Sequence, residues 1–279
     1  MKSIIEVVEN QAVNLESPPE VRILYSSFLN RQVKLELIDF KANSFSGKRG
    51  LLLLNDGQDL EKMRILKTTE QLSLSGTIIP TTVVCITAGE RKSEYGVAGE
   101  PDYLGRGAKA GLYNNFIIHE LMPFINSFTG TYFPPETTAF AGCSLGGLSA
   151  LDIVISNPGY FGMAGVFSGS LWWRSKSYQD GYTDIDRIIH NKVNQTTLKN
   201  HFRCWLMAGT YDENTDRNRS GVVDAVEDTL DMFELLSEKM NDPSKNLHLR
   251  IINEGSHSTE TWANHFPDFL HHCFGKHLY

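Results

Sequence analysis

Apolar and polar positions fall into blocks whose period changes along the chain. Residues 21–28 and 32–40 alternate like strands, with Asn30 and Arg31 between them as a hairpin turn. A polar loop covers 41–49. Gly50-Leu51-Leu52-Leu53-Leu54-Asn55 follows, an apolar run with no polar face, as in a strand buried on both sides. Beyond it, helical and strand-like segments take turns. Helices are predicted over 60–74, 112–128, 145–156, 185–190, 222–240 and 259–273, with Pro123 a point where the second ends or bends. Strands are predicted over 81–87, 137–141, 163–167, 202–208 and 247–252, and 88–110 and 168–183 are loops.

This alternation implies βαβ crossovers, hence an α/β fold: a mostly parallel sheet with an antiparallel N-terminal edge and helices on both faces. One domain over 1–279 is expected, with 1–19 as an N-terminal extension. Ligands of such sheets bind beyond the carboxyl ends of the strands, so the loops there are where chemistry is sought.

Composition narrows the partners. The net charge of −7 and the lack of a long basic run argue against nucleic acid and anionic lipid surfaces. Glu6 and Glu9 interrupt the only apolar stretch near the start, so no signal-peptide core is seen. No run approaches the roughly 18 apolar residues of a membrane span. A cytoplasmic protein with no membrane partner is therefore expected. Cys85, Cys143, Cys204 and Cys273 are scattered without metal-ligand spacing and read as buried, reduced thiols.

The strand at 137–141 runs straight into Gly142-Cys143-Ser144-Leu145-Gly146-Gly147, and a helix follows. This is the G-x-S-x-G elbow in its strand–turn–helix setting. The serine sits on a sharp turn, so the positions two residues away on each side must be small, and Gly142 and Gly146 meet that need. Ser144 is thus the candidate nucleophile of an α/β-hydrolase, and the N–H of Leu145, at the helix start, a candidate oxyanion donor.

In that fold the order is serine, acid, histidine. Of nine histidines, His257 alone follows the last predicted strand directly, in Asn253-Glu254-Gly255-Ser256-His257, and is the candidate base. The acid belongs after the preceding strand, in Gly209-Thr210-Tyr211-Asp212-Glu213-Asn214-Thr215-Asp216. Asp212 is favoured as nearest the strand end; Glu213 and Asp216 remain alternatives. The buried strand 51–54 leads into Asn55-Asp56-Gly57-Gln58-Asp59, where the N–H of Gln58, or next Asp59, is the second oxyanion candidate and Gly57 is read as letting the backbone approach the substrate oxygen.

Together with Gly105-Arg106-Gly107, the stretch from Phe116 to Pro123 and Ser168-Gly169-Ser170-Leu171-Trp172-Trp173, these pieces resemble the esterase family. That family includes esterase D, enterochelin esterases, feruloyl esterases and mycolyltransferases. The resemblance implies a Ser-His-acid mechanism through an acyl-enzyme, no required cofactor, and Trp172 and Trp173 near a substrate pocket.

A second pattern lies downstream. Asp216, Asn218, Ser220, Asp224 and Glu227 stand at the ligand spacing of a calcium loop, with Gly221 at its turn, although a strand rather than a helix leads in. A structural calcium ion is the corresponding candidate; a polar loop capping the next helix is the alternative. The whole chain reads as a carboxylic-ester hydrolase acting on a small-molecule ester. An acyltransferase with the same triad and a non-catalytic binding protein that keeps the fold are the other readings, and a homo-oligomer is left open.

Overall fold

The computed structural model describes residues 19–40 and 47–278. The expected extension at 1–19, apart from Pro19, and most of the 41–49 loop lie outside the described residues. The strands among them are β1 (Glu20–Ser26), β2 (Arg31–Asp39), β3 (Gly50–Asn55), β4 (Thr81–Ile86), β5 (Thr138–Cys143), β6 (Met163–Phe167), β7 (Arg203–Tyr211) and β8 (Leu247–Ser256). They form one sheet in the order β1-β2-β4-β3-β5-β6-β7-β8. The hairpin β1–β2 pairs Ser26 with Arg31, and Asn30 takes a φ of 51° in the turn. β2 lies antiparallel on β4, and every pairing from β4 through β8 is parallel.

The pleat divides the central strands between two cores. Leu51, Leu53, Val84, Ile86 and Phe140 enter one, with the helices Ala110–Phe116, Leu145–Ser156 and Asp224–Lys239. Leu52, Leu54, Val83, Cys85 and Ala139 enter the other, against Ile65–Leu74 and Thr259–Phe274. β3, β4, β5 and β6 are buried at every position, which is why their sequences lack a polar face. Each fully buried Leu or Val contributes about 1.5–3 kcal/mol. All four cysteines are free and buried, and burial pushes the Cys273 thiol up to about 12 and raises the other three as well.

Several boundaries differ from expectation for identifiable reasons. The helix predicted from 60 begins only at Ile65, because Arg64 adopts a left-handed φ of 52° after a short 3-10 turn at Gly57–Asp59. Leu60 and Met63 are still buried, so the apolar pattern was real while the helix was not. Pro123 neither ends nor breaks its helix. A π turn at Ile117–Leu121, closed by Met122 N–H on the Ile117 carbonyl, precedes it and absorbs the missing donor. The helix predicted at 185–190 runs instead over Ile188–Gln195, after a 3-10 turn at Asp184–Asp186. β8 reaches Ser256 rather than 252, because β7 continues beside it past a bulge between Gly209 and Tyr211.

Candidate active site

β5 lies centrally in the sheet and ends on Ser144, which has φ 57° and ψ −124°. A non-glycine residue held there costs about 1–3 kcal/mol, and the surroundings fix it. Ser144 N–H donates to the Phe167 carbonyl at 2.9 Å, and the Ser144 carbonyl accepts from Gly147 and Leu148 as the next helix starts. A Cβ on Gly142 would sit 2.5 Å from the Gly146 backbone, and one on Gly146 would sit 2.8 Å from Asp56 Oδ2. Both flanking glycines are therefore required sterically. Leu145 begins the helix, so its N–H is among those that a helix leaves without an internal partner.

The hydroxyl of buried Ser170 comes within 3.5 Å of Ser144 Oγ. Ser168 supports this corner: its Oγ accepts from Trp262 Nε1 at 2.9 Å. The Trp262 ring in turn meets the His257 ring edge-on, with centroids 5.1 Å apart and an interplanar angle of 83°.

The parallel pair β7–β8 brings two loops together. A Cβ on Gly209 would lie 2.2 Å from the Gly255 carbonyl oxygen, so the strands close tightly where their ends diverge into the site. Asp212 Oδ2 accepts from Gly209 N–H at 3.0 Å, and its Oδ1 lies 3.9 Å from His257 Nδ1. The Asp212 side chain is wholly buried, whereas that of His257 is 39% exposed. The other acids are engaged elsewhere. Glu213 accepts from Thr215 Oγ1, and Asp216 accepts from the N–H groups of Ser220 and Gly221. Of two other histidines, His190 is buried and His272 half-buried, and desolvation lowers each to about 3.

The loop after β3 is held by a network that sequence reasoning missed. Asn55 Nδ2 donates to the Gly146 carbonyl at 2.8 Å, and Tyr113 Oη donates to Asn55 Oδ1 at 2.6 Å. Arg91 grips Asp56 through Nε to Oδ1 at 2.8 Å and Nη2 to Oδ2 at 2.9 Å. The Gln58 side chain donates to Asp56 Oδ1 and accepts from Ala88 N–H. Arg91 begins a one-turn helix, Arg91–Glu94, inside the stretch read from the sequence as a polar loop. The reading of Gly57 also changes: its Cβ would meet the backbone of Cys85 and Ile86 at 3.0 Å, so glycine permits packing on β4, and Asp56 carries the left-handed φ of 60°.

The two tryptophans part company. Trp173 is fully buried, donates Nε1 to the Glu100 carbonyl and packs on Gly96 and Gly107; it belongs to the core rather than to a pocket. Trp172 borders a cleft of about 230 Å³ shared with Tyr103, Arg106, Arg174, Tyr178 and Glu213.

The calcium-like loop turns its oxygens inward. Glu227 accepts from Asn218 Nδ2 and Ser220 Oγ, and Asp224 accepts from Arg217 N–H and faces the Arg217 guanidinium at 3.4 Å. Among the described residues, no three His, Cys, Asp or Glu side chains are grouped to hold a metal ion. The loop is polar, with Arg217 as its internal cation. No helix among the described residues is long and apolar enough to cross a membrane.

A strand–elbow–helix serine in a mostly parallel eight-stranded sheet defines an α/β-hydrolase fold. Residues 26–273 match the family described as "Putative esterase", and the chain belongs to that family. It is 23% identical over 221 residues to the uncharacterized protein YjcH of Bacillus subtilis (strain 168), covering 78% of this chain and 83% of that one. The enterobactin esterase FES of Shigella flexneri has a similar fold, with a TM-score of 0.70 at 19% identity over 91% of this chain. This chain spans only 58% of that esterase. The BES protein of Bacillus cereus superposes with a TM-score of 0.69 at 17% identity, over 94% of this chain and 97% of its own.

Proposed function

We propose that the protein hydrolyses small-molecule esters through an acyl-enzyme on Ser144, with His257 as general base and Asp212 as the acid of the triad. One observation carries this reading: the buried Asp212 carboxylate has Oδ1 3.9 Å from His257 Nδ1 at the carboxyl ends of β7 and β8, in the same parallel sheet whose β5 leads into the strained Ser144 elbow. Ser144 Oγ attacks the ester carbonyl carbon as His257 takes its proton. The N–H groups of Leu145 and Gln58 receive the charge that develops on the carbonyl oxygen. The tetrahedral adduct collapses, the alcohol leaves with the proton from His257, and water repeats the sequence to release the acid. Asp212 keeps the imidazole oriented and stabilises its charged form.

Hydrolysis of p-nitrophenyl acetate tests the reading. Ser144→Ala, with an unchanged circular dichroism spectrum, should lower kcat by at least about a thousandfold. A fluorophosphonate should label the parent protein and not the variant. Equal turnover in the two proteins would remove Ser144 from the mechanism.

A further inference from the structure

The cleft bordered by Trp172 and Glu213 contains an arginine whose charge is not matched. The Arg174 guanidinium carbon lies 4.2, 4.9 and 5.6 Å from the ring centroids of Tyr178, Tyr103 and Tyr182. Aromatic faces steady a cation but leave the in-plane N–H donors of a guanidinium unused. Nε of Arg174 is buried and has no acceptor among the described residues, and Nη2 reaches only Tyr103 Oη, at 3.5 Å. The backbone is held on both sides, by Tyr103 N–H on the Arg174 carbonyl and by Ile188 N–H on the Trp173 carbonyl.

The neighbouring cations differ in this respect. Arg106 donates Nε to the buried carboxylate of Asp102 at 2.6 Å, Lys176 pairs with Asp186, and Arg217 pairs with Asp224 and Asp228. Arg174 has no carboxylate within ion-pairing distance among the described residues. Its rigid fork fits a carboxylate through two parallel hydrogen bonds.

Two residues that line the cleft stand close in sequence to the candidate reacting groups. Trp172 is two positions after Ser170, whose hydroxyl lies 3.5 Å from Ser144 Oγ, and Glu213 follows Asp212 directly. Glu213 and Asp224 border the same cleft; Asp224 is paired with Arg217, and Glu213 Oε1 is buried with no donor among the described residues. These carboxylates repel polyanions, so the cleft fits a single negative group accompanied by hydrogen-bond donors.

We propose, resting on the esterase reading above, that this cleft selects esters whose acyl or alcohol part ends in one carboxylate, and that Arg174 binds that carboxylate and sets the specificity. Two p-nitrophenyl esters of equal chain length test it, the neutral pentanoate and the hydrogen glutarate. The parent protein should favour the glutarate by at least tenfold in kcat/KM. Arg174→Gln should cut that preference at least tenfold, and Arg174→Lys should restore part of it. No preference in the parent protein, or an unchanged ratio in Arg174→Gln, overturns the proposal.

A binding measurement separates this from a failure of the esterase reading. Monoethyl glutarate should bind Ser144→Ala in calorimetry, and at least tenfold more weakly once Arg174→Gln is added. Absent binding, or equal Kd values, overturns the role of Arg174. Intact Arg174-dependent binding without turnover of either ester overturns the esterase reading instead and upholds the anion site.

Discussion

Asp212 Oδ1 and His257 Nδ1 stand 3.9 Å apart because β7 and β8 run parallel and end together, with the Gly209 and Gly255 backbones in close approach beneath them. The Asp212 carboxylate is buried and anchored on one oxygen by Gly209 N–H, which aims the other at the imidazole.

If Asp212 orients His257, Asp212→Asn should keep the fold and lower kcat by about a thousandfold or more, since the amide no longer supports the charged imidazole. Asp216→Asn should leave kcat within about twofold, because Asp216 serves only Ser220 and Gly221 N–H groups. Steady-state kinetics on one p-nitrophenyl ester compare the two. A loss confined to Asp216→Asn would move the acid.

Gly142→Ala places a methyl group 2.5 Å from the Gly146 backbone, which has no flexible end to swing away. Urea unfolding should show a loss of about 1–3 kcal/mol. Gly111, in the helix Ala110–Phe116, has open space where a Cβ would go, so Gly111→Ala should gain about 0.5–1 kcal/mol. Equal effects at both sites would contradict the packing of the elbow.

His190 is buried beside Arg187, and desolvation first and that charge second lower it from 6.5 to about 3. The folded state therefore resists a proton that the unfolded chain accepts near pH 6.5. The stability from this group is complete above that pH and is lost as the pH falls from 6.5 towards 3. By pH 5 the loss should reach about 2 kcal/mol. In urea titrations at pH 7 and pH 5, His190→Gln should show a smaller drop than the parent protein. Parallel drops would mean that His190 takes up its proton while folded.

Calcium should do little. The oxygens at the ligand positions already accept from Asn218, Ser220, Gly221 and Arg217, and an ion would have to displace those donors. Millimolar calcium chloride should leave Tm within about 1 °C by calorimetry. A rise of several degrees would show that the loop rearranges around the ion.

Much of this protein follows from local pattern. The apolar run at β3 and the alternation of strands and helices depend on neighbouring residues, and an apolar run with no polar face has few places to go except between two layers. The elbow is equally local: Gly142 and Gly146 flank Ser144 because the turn leaves no room for side chains, and the sequence carries that constraint within a few positions. The spacing of the downstream calcium pattern was local too, but it records residue types without saying which donors those oxygens meet.

Tertiary structure decided whatever depends on contacts between distant segments. The register of β7 on β8, not distance along the chain, put Asp212 rather than Glu213 or Asp216 next to His257. Trp172 and Trp173 are adjacent in sequence, yet the packing of Gly96 and Gly107 buries only the second. Arg91 meets Asp56, and Arg174 sits among its tyrosines, in segments whose sequence has no periodicity, where side-chain partners are set by the fold as a whole. A short motif can specify a strained turn because sterics act over a few bonds; an ion pair or an unmatched charge exists only once the sheet has brought the loops together.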